Sequence, residues 1–416
     1  MSRPAIQTPS TSETEMVSRT EPSTFGYTAV HNSTFSHVPE VCVEVNTYNL
    51  SDQYPDDLVS QETFLMFSSI HSGVIVPVLF LISVSTNTIN MIVFYKHGLQ
   101  ERFNLCVFCL AFTDTMNLIA GFLTYVQLPA SIIVQAITPD ATALGPVIKA
   151  VEDYNLIGLY GFNWASQLIS TIVACERCYC VVRPLKSQTV LSTKTMAGII
   201  VTVCTPVVAG FFVVSLRWNQ VCNFDSNTGS ITFVPGASKF YLQNRQLVDI
   251  LNGTVYGFAL PGFCMTVVTV MTIITVVKLK QMAKWRETTS SARSLSAKEV
   301  ALTRMLVGTS TLFISCATPA FTVFTAILFV PGLRLSGPYN NTFNVLVKVH
   351  EITVFINSSF NFFVYYKFGT KFRESVNNMF HCSRKRLSKQ TDTRQSESSS
   401  ATRLTFRRQN NYSNTL

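Results

Sequence analysis

Long apolar runs separated by short polar stretches dominate the chain from residue 67 onward. Seven of them reach the roughly 20 residues that a helix needs to cross a bilayer. They are Phe67–Tyr95, Phe103–Leu128, Val151–Ala174, Met196–Leu216, Leu247–Val277, Ala301–Val330 and Phe343–Tyr366. Helices of soluble cores are shorter and carry a polar face, so the pattern predicts seven membrane-spanning helices. The second and third runs are the least uniform. Asn104 and Asp114 interrupt one, and Asn155, Asn163 and Gln167 interrupt the other. Polar groups at membrane depth are costly and face a bundle interior or a water-filled cavity.

The flanks differ in kind. Residues 1–66 form a polar, Ser/Thr-rich head with nine acidic and two basic residues, and no apolar run near Met1 that would read as a signal peptide. Asn32-Ser33-Thr34 and Asn49-Leu50-Ser51 are glycosylation sequons if that head is secreted. Past the seven-helix segment 67–366, Phe372, Val376 and Phe380 recur at helical spacing, which predicts an amphipathic surface helix over 367–382. Cys382 at its end is a palmitoylation candidate, and Arg384-Lys385-Arg386 beside it suits anionic membrane lipid. The Ser/Thr-rich tail 383–416 is expected to be disordered.

Composition sharpens this picture. Of 416 residues 47% are hydrophobic and 13% charged, about half the usual charged share of roughly 25%. That excludes disorder for the bulk of the chain. A net charge of +9 raises nucleic acid as a partner, but position decides otherwise. With the head outside, the segments 96–102, 177–194, 278–304 and 367–416 face the cytoplasm and hold 24 of the 32 Lys and Arg. That is the positive-inside pattern, so the charge reports topology: a multi-pass plasma-membrane protein, N-terminus outside, no nucleic acid. An odd number of spans without repeated halves speaks against a secondary transporter and for a receptor. A transporter or ligand-gated channel is the alternative.

Short motifs follow one another in order: Asn87 in the first span, Leu110-Ala111-Phe112-Thr113-Asp114 in the second, Glu176-Arg177-Cys178 and Arg183-Pro184-Leu185 after the third. Pro261 follows in the fifth, Phe313 and Cys316-Ala317-Thr318-Pro319 in the sixth, and Asn361 with Tyr365 in the seventh. With these motifs the chain resembles the rhodopsin-like (class A) G-protein-coupled receptors over residues 67–382. The stretches Glu176–Leu185 and Val277–Arg286 are, more narrowly, similar to molluscan chemosensory-type receptors. The expected fold is an all-α seven-transmembrane bundle with an amphipathic eighth helix, and the expected protein is a receptor rather than an enzyme.

The resemblance assigns roles. Asp114, with Ser166, Asn357, Ser358 and Asn361, would form a sodium or water switch pocket; the plainer reading is a polar network that joins helices. Arg177 would pair with Glu176 and with Glu299 at rest, then engage the G protein together with Leu185. Pro261 and Pro319 would act as hinges, with Phe313 repacking and Tyr365 as the switch tyrosine. Thr288 to Ser296 and the tail offer phosphorylation clusters for arrestin. No other cofactor is implied.

Departures from the family pattern matter as much. The bulky Trp usual two residues before the sixth-helix proline is Ala317, the usual Asn-Pro of the seventh helix is Asn361-Phe362, and the usual fifth-helix Tyr is Thr269. No Cys lies between Cys109 and Cys175, so the family's common outer disulfide is missing. Cys42 and Cys222 are the candidate replacement, against two free thiols.

Leu159 stands where amine receptors carry an Asp, and Phe355 where opsins carry a Lys, so neither amine nor retinal is favoured. Glu152, Asp153, Arg217, Trp218, Arg245, Asp249, Lys348, His350 and Glu351 line the outer ends of the spans. Their mixed charge suits a small zwitterionic molecule or a peptide, so neuropeptide and chemosensory receptors are both in view.

Overall fold

A computed structural model describes residues 43–44, 57–125, 156–183, 191–225, 230–288, 297–330, 332–333 and 337–380. The chain divides into two units, Met1–Thr47 with Val221–Val234, and the remainder.

In the first unit and its margins, β1 (Val43–Glu44), β2 (Trp218–Asp225) and β3 (Ser230–Ala237) form a sheet in the order β1-β2-β3. β1 and β2 run parallel, with Val43 opposite Asn223 and Glu44 opposite Phe224. This corrects the all-α expectation. The run Ser230-Ile231-Thr232-Phe233-Val234 is rich in the β-branched and aromatic residues that pleated surfaces favour, a signal overshadowed by the much longer apolar runs around it.

The second unit is helical. Its long helices are α1 (Gln61–Lys96), α2 (Arg102–Tyr125), α3 (Gly161–Val182), α4 (Thr193–Ser215), α5 (which continues a turn over Arg245–Asp249 and a π-helical stretch Ile250–Ala259 as Leu260–Thr288), α6 (Ala297–Phe329) and α7 (Asn340–Phe368). A further helical run covers 370–380. Among the described residues α1, α2, α4, α5 and α6 contain stretches long and apolar enough to cross a membrane. α3 and α7 carry Asn163, Gln167, Glu176 and Arg177, and Lys348, His350, Glu351, Asn357 and Asn361. These polar side chains are the ones the bundle interior uses.

Most helices outrun the expected spans. α1 begins at Gln61, inside what reads from sequence as the polar head, because Ser60 caps it by accepting from the Thr63 N–H at 3.2 Å. α3 runs eight residues past Ala174, so Glu176 and Arg177 lie within a helix. Inside a bundle the neighbouring side chains satisfy polar groups that would stop an isolated span.

α3 packs against α2, α4 and α5, and α7 against α1 and α6. Gly158, in a 3-10 turn, and Gly161 let the start of α3 approach α4: a Cβ at either position would meet Phe212, or Phe211 and the Val208 backbone. Beyond α7, Phe372 and Val376 of the 370–380 run are buried. Phe372 stacks on Phe94 at 5.4 Å and meets Tyr365 edge-on at 5.8 Å. Phe380 is 59% exposed. The expected single apolar face is therefore divided, two residues against the bundle and one outward.

Candidate functional site

The site begins at Asp114, buried in the middle of α2. Ser166 of α3 donates to its Oδ1 at 2.5 Å. Ser358 and Asn361 of α7 stand near enough to interact with the carboxylate, but Oδ2 makes no hydrogen bond. Asn87 of α1 donates to Ser358 Oγ at 3.1 Å, and Ser83 bonds Ser359. A buried carboxylate needs such partners, so α1, α2, α3 and α7 are joined around it by polar side chains. Asn357 also faces this region, on the wall of a cleft that reaches Asp114.

Two cavities meet here. The outer one, a narrow cleft, has Asp114, Asn163, Trp164, Ala317, Phe324 and His350 among its walls. The inner one is bounded by Phe103, Val268, Ser310, Asn361 and Tyr365. Phe313 and Asn357 border both. Phe313 stands six residues before Pro319, which lies inside α6. A helix-interior proline removes one backbone hydrogen bond and favours a kink, so the ring sits where a bend of α6 changes the partition between the cavities. Pro261 follows the π-helical stretch of α5 directly. Pro206 lies inside α4 and was not singled out from sequence.

Near the C-terminal end of α3, Glu176 is the centre of an ionic cluster. Arg177 Nε lies 2.7 Å from Glu176 Oε2 and Arg102 Nε 3.6 Å from Oε1. The Cys180 thiol donates to Oε1 at 3.3 Å, and the Arg177 guanidinium lies 4.9 Å from the centre of the Phe103 ring. Arg102 also donates to the Leu191 carbonyl at 2.9 Å, tying α2 to the segment that leads into α4. Arg102 was missed from sequence because a basic residue at a helix start reads as a solvated charge. Glu299 lies in α6, but its side chain is outside the described residues, as is Leu185.

The outer candidates divide. His350 lines the cleft. Glu351 instead faces α1, with Oε2 3.5 Å from Nε2 of the fully buried His71. His71 opens the π-helical turn His71–Ile75 of α1, a local widening that re-aims side chains. Lys348 lies close to His71. Arg245 and Asp249 are exposed and pair with each other at 3.6 Å. Arg217 lies 5.2 Å from the Tyr241 ring centre. Glu152, Asp153, Cys42, Asn32, Asn49 and Cys382 lie outside the described residues, and the side chains of Trp218 and Cys222 are not described. Among the described residues no three His, Cys, Asp or Glu side chains are grouped to hold a metal.

A QRFP-like peptide receptor from Branchiostoma floridae is 25% identical over 317 residues, 76% of this chain and 79% of the relative. The family model described as 7 transmembrane receptor (rhodopsin family) matches residues 86–365, from the polar middle of α1 to the buried Tyr365 of α7. That range takes in Asp114, the Phe313 boundary and the Glu176 cluster, and the chain belongs to the rhodopsin family of seven-transmembrane receptors.

Proposed function

We propose that all seven long helices cross the plasma membrane with the N-terminus outside, and that the protein is a G-protein-coupled receptor for an extracellular peptide. The observation that carries this reading is the pair of cavities bordered by Phe313 and Asn357. They lie between an outer cleft suited to a ligand and the Glu176–Arg177 pair at the inner end. A ligand that binds better when α6 is bent shifts the two-state population toward that form. Arg177 then leaves Glu176 for the G protein, with Glu299 as its second resting partner and Leu185 inserting beside it.

The peptide reading follows the QRFP-like receptor's name and the side chains of Asn163, Gln167 and His350 on the cleft wall; it is preferred over a chemosensory small molecule. Asp114 and Ser166 are hard oxygen donors of the kind sodium takes, and Asn357, Ser358 and Asn361 would complete the set. Glycosylation at Asn32 and Asn49, palmitoylation at Cys382, and arrestin at the phosphorylated tail complete the proposal. The test is expression of the full chain with a promiscuous G-protein reporter and a neuropeptide library. Ligand-dependent signalling is expected; ligand-dependent current or uptake that persists without G protein would overturn the receptor reading in favour of a channel or transporter.

A further inference from the structure

The outer cleft is deep for a physical reason visible at one position. Its α6 wall runs from Phe324 to Phe313, about 16 Å at 1.5 Å per residue. Its α7 wall runs from His350 to Asn357. Ala317 lies between these ends on α6, and its methyl group leaves the passage unblocked. Asp114 closes the deep end and is the one acid among the lining residues; His350, the one basic residue, stands at the other end. Asn163, Gln167 and Asn357 supply amide groups between them. Asp114 is 3% exposed, and its Oδ2 makes no hydrogen bond.

We propose that Asp114 is the counter-charge for the receptor's own ligand: the cleft admits, from the extracellular side, a slender ligand whose cationic end (an ammonium or a guanidinium) pairs with Oδ2 in place of the sodium ion. This rests on the receptor reading above and adds the chemistry of the group that reaches the cleft floor. A buried carboxylate in a low-dielectric site attracts a cation far more strongly than it would in water. The side-chain amides along the passage offer carbonyl acceptors to the same cationic donor. An indole at 317 would stand between the two ends.

Cys316, also on the cleft wall, provides the probe. Its thiolate attacks the sulfenyl sulfur of a methanethiosulfonate; a mixed disulfide forms and methanesulfinate leaves. Membrane-impermeant reagents bearing a trimethylammonium or a sulfonate group are applied outside intact cells in sodium-free medium, each rate normalised to its rate with free cysteine. The ratio of the two cancels the ionisation of the thiol itself. The trimethylammonium reagent is expected to modify Cys316 at least about tenfold faster, and Cys316→Ser to abolish that modification. Asp114→Asn should bring the ratio to about one, Asp114→Glu should keep it, and Ala317→Trp should slow both reagents, all at matched surface expression. A ratio near one in the unsubstituted receptor, a ratio that survives Asp114→Asn, or a Cys316 inert to both reagents overturns the proposal. G-protein output is measured in the same cells: lost signalling with an intact ratio counts against the receptor reading alone.

Discussion

Arg102 and Arg177 approach the two oxygens of one carboxylate, Glu176, at 3.6 and 2.7 Å. The carboxylate is buried while both guanidiniums keep some exposure, so removing its charge changes two contacts at once. Glu176→Gln frees Arg177 and should raise ligand-independent signalling roughly fivefold, the factor that about 1 kcal/mol makes in a two-state ratio. Arg102→Met leaves the Glu176–Arg177 pair in place and should not raise it, although it releases the Leu191 carbonyl. A basal-activity assay normalised to surface receptor separates the two variants. Equal basal rises in both would mean that the Arg102–Glu176 contact, rather than the Glu176–Arg177 pair, restrains the inner face.

Asp57 joins the segment before α1 to the start of α7. Its Oδ2 accepts from the Asn341 N–H at 2.7 Å, and its Oδ1 accepts from the Thr342 N–H at 3.3 Å and the Thr342 hydroxyl at 2.5 Å. Partial burial pushes its pKa up, but the hydrogen bonds from Thr342, Val59 and Asn341 outweigh this and hold the carboxyl below its ordinary value. The first N–H groups of a helix lack internal partners, and an acidic cap satisfies them. Asp57→Ala should therefore cost about 1 kcal/mol, seen as a lower Tm of the detergent-solubilised receptor, with Asp57→Asn losing less. A Tm unchanged in the alanine variant would show that water replaces the cap without loss.

The helices and the polar centre were legible because membrane burial leaves strong traces: apolar length, a mid-span Asp114, prolines in α5 and α6. What escaped was set by tertiary contact. The His71–Glu351 approach joins residues 280 positions apart, and nothing in local spacing marks it. Lys348 and Glu351 read as outer ligand groups, yet the cleft wall at that level is His350, because one helical step of about 100° separates an inward side chain from a neighbour aimed at α1. Asp57 read as part of a polar head because a cap to α7 requires knowing where α7 begins.

His97, just past α1, carries the pH dependence of the inner end. Its Nε2 lies 2.8 Å from the Ser375 hydroxyl of the 370–380 run. Burial lowers its pKa, Lys371 lowers it further, and Glu101 opposes both. A lowered folded value means the unfolded state binds the proton more readily. The stability contributed by neutral His97 is then complete above its ordinary value of 6.5 and is lost as the pH falls from there toward the folded value. Hydrogen exchange of residues 370–380 should accelerate as the pH falls below 6.5, and His97→Gln, which keeps a hydrogen-bonding group without the titration, should flatten that change. Exchange rates with the same pH dependence in both proteins would remove His97 from the docking of this helix.

Val43 stands opposite Asn223 in the parallel β1–β2 pair, and each is preceded in sequence by a cysteine, Cys42 and Cys222. Two cysteines that each precede a paired residue in sequence are candidates for a bridge in an oxidising extracellular setting. The eight described cysteines Cys106, Cys109, Cys175, Cys178, Cys180, Cys204, Cys264 and Cys316 are free, which leaves few competing partners outside. Non-reducing peptide mass spectrometry of receptor purified from the cell surface should recover a peptide joining Cys42 to Cys222. Extracellular bridges contribute about 2–4 kcal/mol, so Cys42→Ser and Cys222→Ser should each lower surface yield, and the double variant should be no worse than either alone. That non-additivity is the signature of a shared bond. Two free thiols, or additive losses, would leave β1 and β2 held by backbone pairing only.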